Sequence, residues 1–132
     1  MEQYLPAVDK AVSSLFQDLE ASGLLEKTLV IVMGEFGRTP RMNTGFGNLP
    51  AGRDHWNAAF SLIMGGGGIK GGRIVGKTDP KAESIVERPV TVEQLHATVY
   101  HALGIDPSLS LVDRSGRPVP LVDGNEPIRE LL

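Results

Sequence analysis

At 132 residues the chain is long enough for one domain with a real core and too short for two comfortable ones. Hydrophobic residues at 41% and charged residues at 22% are ordinary for a soluble globular protein, and a net charge of −3 argues against a dedicated nucleic-acid binder, whose affinity rests on a basic surface. Without cysteine the chain offers no disulfide, no thiolate metal site and no Cys nucleophile.

The opening Met1-Glu2-Gln3-Tyr4-Leu5-Pro6 has neither a basic start nor an apolar stretch, so no signal peptide is expected. The longest apolar run, 29–33, is far below membrane-spanning length, and no membrane partner is expected. Residues 5–25 are predicted to form a helix. Val8, Val12, Leu15, Phe16 and Leu19 recur at three- and four-residue spacings, Pro6 suits the first turn, and Gly23 is a natural stop. The β-branched run 28–33 then suits a strand covered on both faces, as in a parallel sheet between helices.

From 34 to 53 the glycines and prolines break any regular element, and a loop of this length is often functional. Further strands are predicted at 60–64, 73–75 and 119–122. A second helix is predicted at 92–103, capped by Thr91, with Glu93 in its first turn and Gly104 at its end. There are no internal repeats. The strand, helix and strand order favours an α/β fold.

Two constellations carry candidate chemistry. Gly34-Glu35-Phe36-Gly37-Arg38 follows the first strand directly, where ligands bind in open α/β sheets. Gly52-Arg53-Asp54-His55-Trp56 precedes the second strand. Carboxylates and imidazole are the usual ligands for zinc or similar ions where cysteine is absent, and Arg38 and Arg53 could hold a tetrahedral anion through forked hydrogen bonds. The plainer reading is that a loop acid beside a loop arginine forms a structural ion pair.

His96 and His101 lie five apart on the second helix, face different directions and read as ordinary surface residues. Phe36 and Trp56 read as loop anchors packing on the core. No serine or threonine stands in a recognisable nucleophile setting, so no catalytic residue is assigned.

Residues 71–78 match the phosphate-loop pattern G-x-x-x-x-G-K-[ST] letter for letter. The preceding residues are not a strand, however, and Asp79-Pro80 stands where a helix should begin, so Lys77 and Thr78 read as turn residues. Residues 66–71 match G-x-G-x-x-G but open into Arg73-Ile74-Val75 rather than a helix, which leaves a pyrophosphate without its helix N-terminus.

Taken in order, these segments resemble the C-terminal half of the sulfatase and alkaline phosphatase superfamily. The resemblance is carried by residues 8–19, by Gly23-Leu24-Leu25 with Thr28-Leu29-Val30-Ile31-Val32, by 61–72, and by Arg88-Pro89-Val90-Thr91 with 95–105. More narrowly, Gly34-Glu35-Phe36-Gly37-Arg38-Thr39-Pro40, Gly52-Arg53-Asp54-His55-Trp56 and Gly116-Arg117-Pro118-Val119-Pro120 resemble a family of uncharacterised bacterial sulfatase-like proteins.

The resemblance implies that residues 1–132 form a single partial domain, the C-terminal portion of an alkaline-phosphatase-like three-layer α/β fold with a mostly parallel sheet. It implies a divalent metal, zinc or calcium, held by Glu35, Asp54 and His55. Arg38 and Arg53 would bind the anion, and a sulfate or phosphate ester would be the substrate of the intact protein. Phe36 falls where the superfamily has a metal-binding His, so one metal site would be impaired or rebuilt around Asp54. The superfamily's nucleophile and first Asp ligands lie upstream of everything in this sequence, so the chain reads as a fragment, inactive alone, whose sheet is completed by missing N-terminal strands or by a second copy. Relatives of full length are expected to be exported or periplasmic. The alternatives are a non-catalytic sulfatase-like binding or scaffold domain and, third, a nucleotide-binding loop protein.

Overall fold

The computed structural model describes residues 4–45, 47, 50–124 and 126–132; the reading of residues 1–3, and the part of the 34–53 loop at 46, 48 and 49, lie outside the described residues. The amphipathic stripe of the first segment forms α1 (Tyr4–Ala21). Gly23 ends it with φ of 69°, a left-handed turn that residues with a side chain rarely adopt. A 3-10 turn at Leu25–Lys27 leads into β1 (Val30–Met33).

The three-layer, mostly parallel sheet expected from the sequence is not present. The strand β1 runs antiparallel to β4 (Leu62–Gly65), with Val30 opposite Gly65 and Met33 opposite Leu62. Among the described residues every sheet is a two-stranded antiparallel pair. The reason lies in the connection. A parallel pair needs a crossover that returns the chain to the same end of the sheet, usually a helix. Among the described residues between β1 and β4 stand only β2 (Gly37–Arg38), β3 (His55–Trp56) and a loop rich in glycine and proline, so the chain doubles back and enters β4 from the opposite end. The expectation of a strand covered on both faces fails with it: Val30, Ile31 and Val32 are half-buried and Met33 is exposed.

The helix α1 packs on this ribbon through Phe16. A Cβ added at buried Gly65 would lie 2.8 Å from the ring edge of Phe16, so glycine there lets the helix approach. The strand predicted at 73–75 is absent, and the chain pairs slightly later, β5 (Lys77–Thr78) with β6 (Ile85–Glu87).

The buried core gathers around α2 (Val92–Ala102) and the C-terminal segment: Leu95, Ala97, Val122 and Ile128 are buried, and Thr98 is fully so. Thr91 caps α2 with a full capping box, accepting from the Gln94 backbone N–H while the Gln94 side chain accepts from the Thr91 backbone. The Thr98 hydroxyl donates to the Gln94 carbonyl at 2.7 Å and accepts from the Ile128 N–H at 2.9 Å, stitching the C-terminal segment to the helix. Arg88, with φ of 45°, grips Glu130 through two hydrogen bonds of 2.6 and 2.9 Å.

The last ribbon pairs β7 (Ser110–Val112) with β8 (Pro118–Pro120), Leu111 opposite Val119. Hydrogen bonds from the Leu121 N–H to the Leu109 carbonyl and from the Asp113 N–H to the Arg117 carbonyl flank it. By the antiparallel alternation, positions 110, 112, 118 and 120 then turn their backbone groups outward.

The chain exposes 10100 Å² of surface. A compact monomer of 14.2 kDa exposes roughly 6,800 Å². None of the residues of α1 is buried, and Met33 and Ile63 on the β1–β4 ribbon are both about half exposed. Much apolar surface is left without a protein neighbour.

Candidate functional site

The site starts from a two-residue ribbon. The strands β2 and β3 pair antiparallel with Arg38 opposite His55 and Gly37 opposite Trp56. Gly37 is buried, and a side chain there would collide with the carbonyl of Ala59 and lie 2.8 Å from the carbonyl oxygen of Trp56. Only glycine allows that approach.

This pairing brings Glu35 to His55. The imidazole Nε2 lies 2.9 Å from Glu35 Oε1, and Arg38 Nη2 donates to the same oxygen at 3.1 Å. The Phe36 ring stacks on the imidazole with centroids 5.2 Å apart and planes inclined by 27°. Phe36 is therefore an exposed lid over His55, not an anchor on the core as the sequence suggested. Its own backbone N–H first, then the Arg38 guanidinium and to a lesser degree His55, hold the Glu35 carboxyl below its ordinary range, against a smaller opposing effect of partial desolvation. Glu35 is thus an anion ready to meet a cation at neutral pH.

Asp54 and Arg53 turn elsewhere. Asp54 Oδ1 accepts from Asn43 Nδ2 at 2.9 Å, and Arg53 Nη1 donates to the Thr39 carbonyl at 3.2 Å. Thr39 and Asn43, which sequence reasoning passed over, zip the stem of the long loop. The Thr39 N–H donates to the Asp54 carbonyl, the Asp54 N–H donates to Thr39 Oγ1, and Asn43 Oδ1 accepts from the Gly45 and Gly52 N–H groups. An asparagine inside a glycine-rich loop is the available signal, because its side chain can bond backbone two residues on and across a turn.

The chemistry of the donor set fits two ligand positions. Neighbouring ligands about 2.0 Å from a tetrahedral zinc stand roughly 3.3 Å apart, so a separation of 2.9 Å is a few tenths of an ångström short of two adjacent corners. A third ligand does not converge: among the described residues no group of three His, Asp or Glu side chains gathers as a metal site.

The other candidates lie apart. His96 and His101 are exposed on α2. The phosphate-loop pattern runs into the strand β5, where Lys77 stands 3.7 Å from Glu87, rather than into a helix. Among the described residues no helix is long and apolar enough to cross a membrane.

Compared with known families, residues 1–132 match the one described as Protein of unknown function (DUF1501). The chain belongs to that family. No curated protein and no solved structure matches it. In this DUF1501 chain the two motifs singled out from the sequence, Gly34 to Pro40 and Gly52 to Trp56, are the two strands of one ribbon with its flanks, and they meet at the Glu35–His55 contact.

Proposed function

We propose that this chain is one part of a metal-dependent ester hydrolase of sulfatase or phosphatase type, in which Glu35 and His55 ligate a divalent cation and Arg38 neutralises the bound ester. The reading rests on the resemblance to sulfatase-like proteins, and one observation carries it: a carboxylate and an imidazole far apart in sequence converge to 2.9 Å beside a guanidinium. When bound, zinc or calcium would polarise the sulfate or phosphate ester and draw off charge as its bond breaks. Glu35 would hold that cation by charge and His55 by its ring nitrogen. Arg38, already beside Glu35, would face the ester oxygens; Arg53, two residues before β3, would join it only by leaving the Thr39 carbonyl.

The 132-residue chain by itself is expected to turn over neither sulfate nor phosphate esters. It has no assigned nucleophile, and Asp54 is engaged by Asn43. The surface in excess of a compact monomer supports a reading in which further strands, or a second copy, complete the domain around it. Calorimetric titration with zinc and with calcium tests the proposal. The chain should bind one ion, and Glu35→Gln and His55→Ala should each weaken binding at least roughly tenfold. Equal binding by the chain and both variants would remove the proposal.

A second reading, a non-catalytic binding or scaffold domain, is favoured by two contacts. Glu35 Oε1 is already shared by Arg38 and His55, and Phe36 covers the imidazole face where a further metal-binding His would stand. On that reading the cluster is a structural clasp. The same titration then gives no heat, while both variants lower thermal stability.

A further inference from the structure

We propose that the loop 79–84 is a positioning device for His55, acting through the indole of Trp56. The proposal takes the Glu35–His55 pair as the working site and so rests on the reading above.

A two-residue ribbon cannot hold its own geometry in water. One side of β2–β3 is fixed by the close approach of Gly37 to Ala59. The other is fixed by Trp56, the half-buried neighbour of His55 on β3, whose Nε1 donates to the Glu83 carbonyl at 2.9 Å. Successive side chains on a strand point to opposite faces, so anchoring the indole on one face aims the imidazole from the other.

The Glu83 carbonyl is itself held in place. Asp79 Oδ1 accepts from the Lys81 N–H at 2.7 Å and the Glu83 N–H at 3.3 Å, and Oδ2 accepts from the Ser84 N–H at 2.7 Å and the Ser84 hydroxyl at 2.8 Å. The Asp79 N–H closes the loop on the Ser84 carbonyl at 3.0 Å. These bonds, the Ser84 hydroxyl foremost, bring the Asp79 carboxyl down to about 2, so the loop keeps its acceptor charge across the neutral range. The route therefore runs from the Asp79 carboxylate to the Glu83 carbonyl, to the Trp56 indole, and so to the His55 ring beside Glu35. Asp79 touches neither cation nor ester; it is a positioning residue.

NMR on the whole chain tests this with three variants. Asp79→Asn removes the charge that organises the loop, and Trp56→Phe removes the indole donor while keeping an aromatic ring. Asp106→Asn is the control, because it breaks a turn of the same kind, around Ser108, away from the ribbon. In the first two, the His55 ring resonances should shift and the cross-peaks between Phe36 and His55 should weaken at least twofold. Zinc affinity should fall roughly tenfold in both, as is usual when a ligand's supporting partner is removed. The control should leave all three readouts unchanged. Should Asp79→Asn fail to fold, Trp56→Phe decides. Unaltered His55 resonances in the folded variants would overturn the proposal. If the unmodified chain binds no zinc, the cation reading fails separately, and the His55 resonances still judge the positioning.

Discussion

Gly37 lies so close to the carbonyl of Ala59 that no side chain fits between them, and this contact seats the strand that carries Arg38 against the strand that carries His55. The obstacle is backbone on both sides, with the Trp56 carbonyl oxygen 2.8 Å from the position of a Cβ, so neither neighbour can swing away as a flexible side chain would. Gly37→Ala should therefore cost roughly 1–3 kcal/mol, the usual range for forcing volume into a packed site. It should also part Glu35 from His55. Urea denaturation reads the first effect, and loss of the Phe36–His55 cross-peaks reads the second. A variant that keeps both would show that the ribbon does not depend on this approach.

Glu130 gives a pH dependence of definite sign. The Arg88 guanidinium, through its hydrogen bonds, is the main cause that brings the Glu130 carboxyl from 4.5 down to about 2. A carboxyl depressed on folding stabilises the folded state fully above its unfolded value and loses that contribution as pH falls through the folded one. Melting temperatures of the chain and of Glu130→Gln should differ most at neutral pH, approach each other below about pH 4.5, and meet near pH 2. The group is partly exposed, so the difference should be modest and should shrink in salt. A gap that widens on acidification would contradict the assignment.

Thr98 separates the contribution of a hydroxyl from that of a methyl. It is fully buried and acts as both donor and acceptor between α2 and the C-terminal segment. Thr98→Val keeps the shape but leaves the Ile128 N–H without its acceptor, which should cost roughly 1–3 kcal/mol. Thr98→Ser keeps both hydrogen bonds and opens a cavity of one methyl, at about 1 kcal/mol. Chemical denaturation of the two should place valine below serine. The reverse order would mean that packing, not hydrogen bonding, secures this junction.

The helices were legible in the sequence because their signals are local. The 3.6-residue stripe of α1 and the Thr91 cap of α2 both depend on residues within a few positions of one another. The direction of β1 relative to β4 was not legible, since an unbroken apolar run fits a parallel or an antiparallel neighbour equally well and the deciding feature, a connection with no helix among its described residues, lies outside the strand. Of the candidate site, Glu35, Arg38 and His55 were found through their residue types and come together. Asp54 was grouped with them by proximity along the chain, but just before β3 its side chain is taken up by Asn43 instead. The supports from Thr39, Asn43 and the Asp79 loop act across long sequence separations and through backbone atoms, which residue identity does not announce.

The prolines of the last ribbon have a consequence for self-association. Pro118 and Pro120 occupy two positions of β8 whose backbone faces away from β7, and neither has an N–H to offer. A stray strand approaching that flank meets acceptors without donors and cannot zip on. Ser110 and Val112 leave the opposite flank with both. Stacking of such ribbons into fibrils would thus have to begin and stop on a single side, which limits growth to pairs.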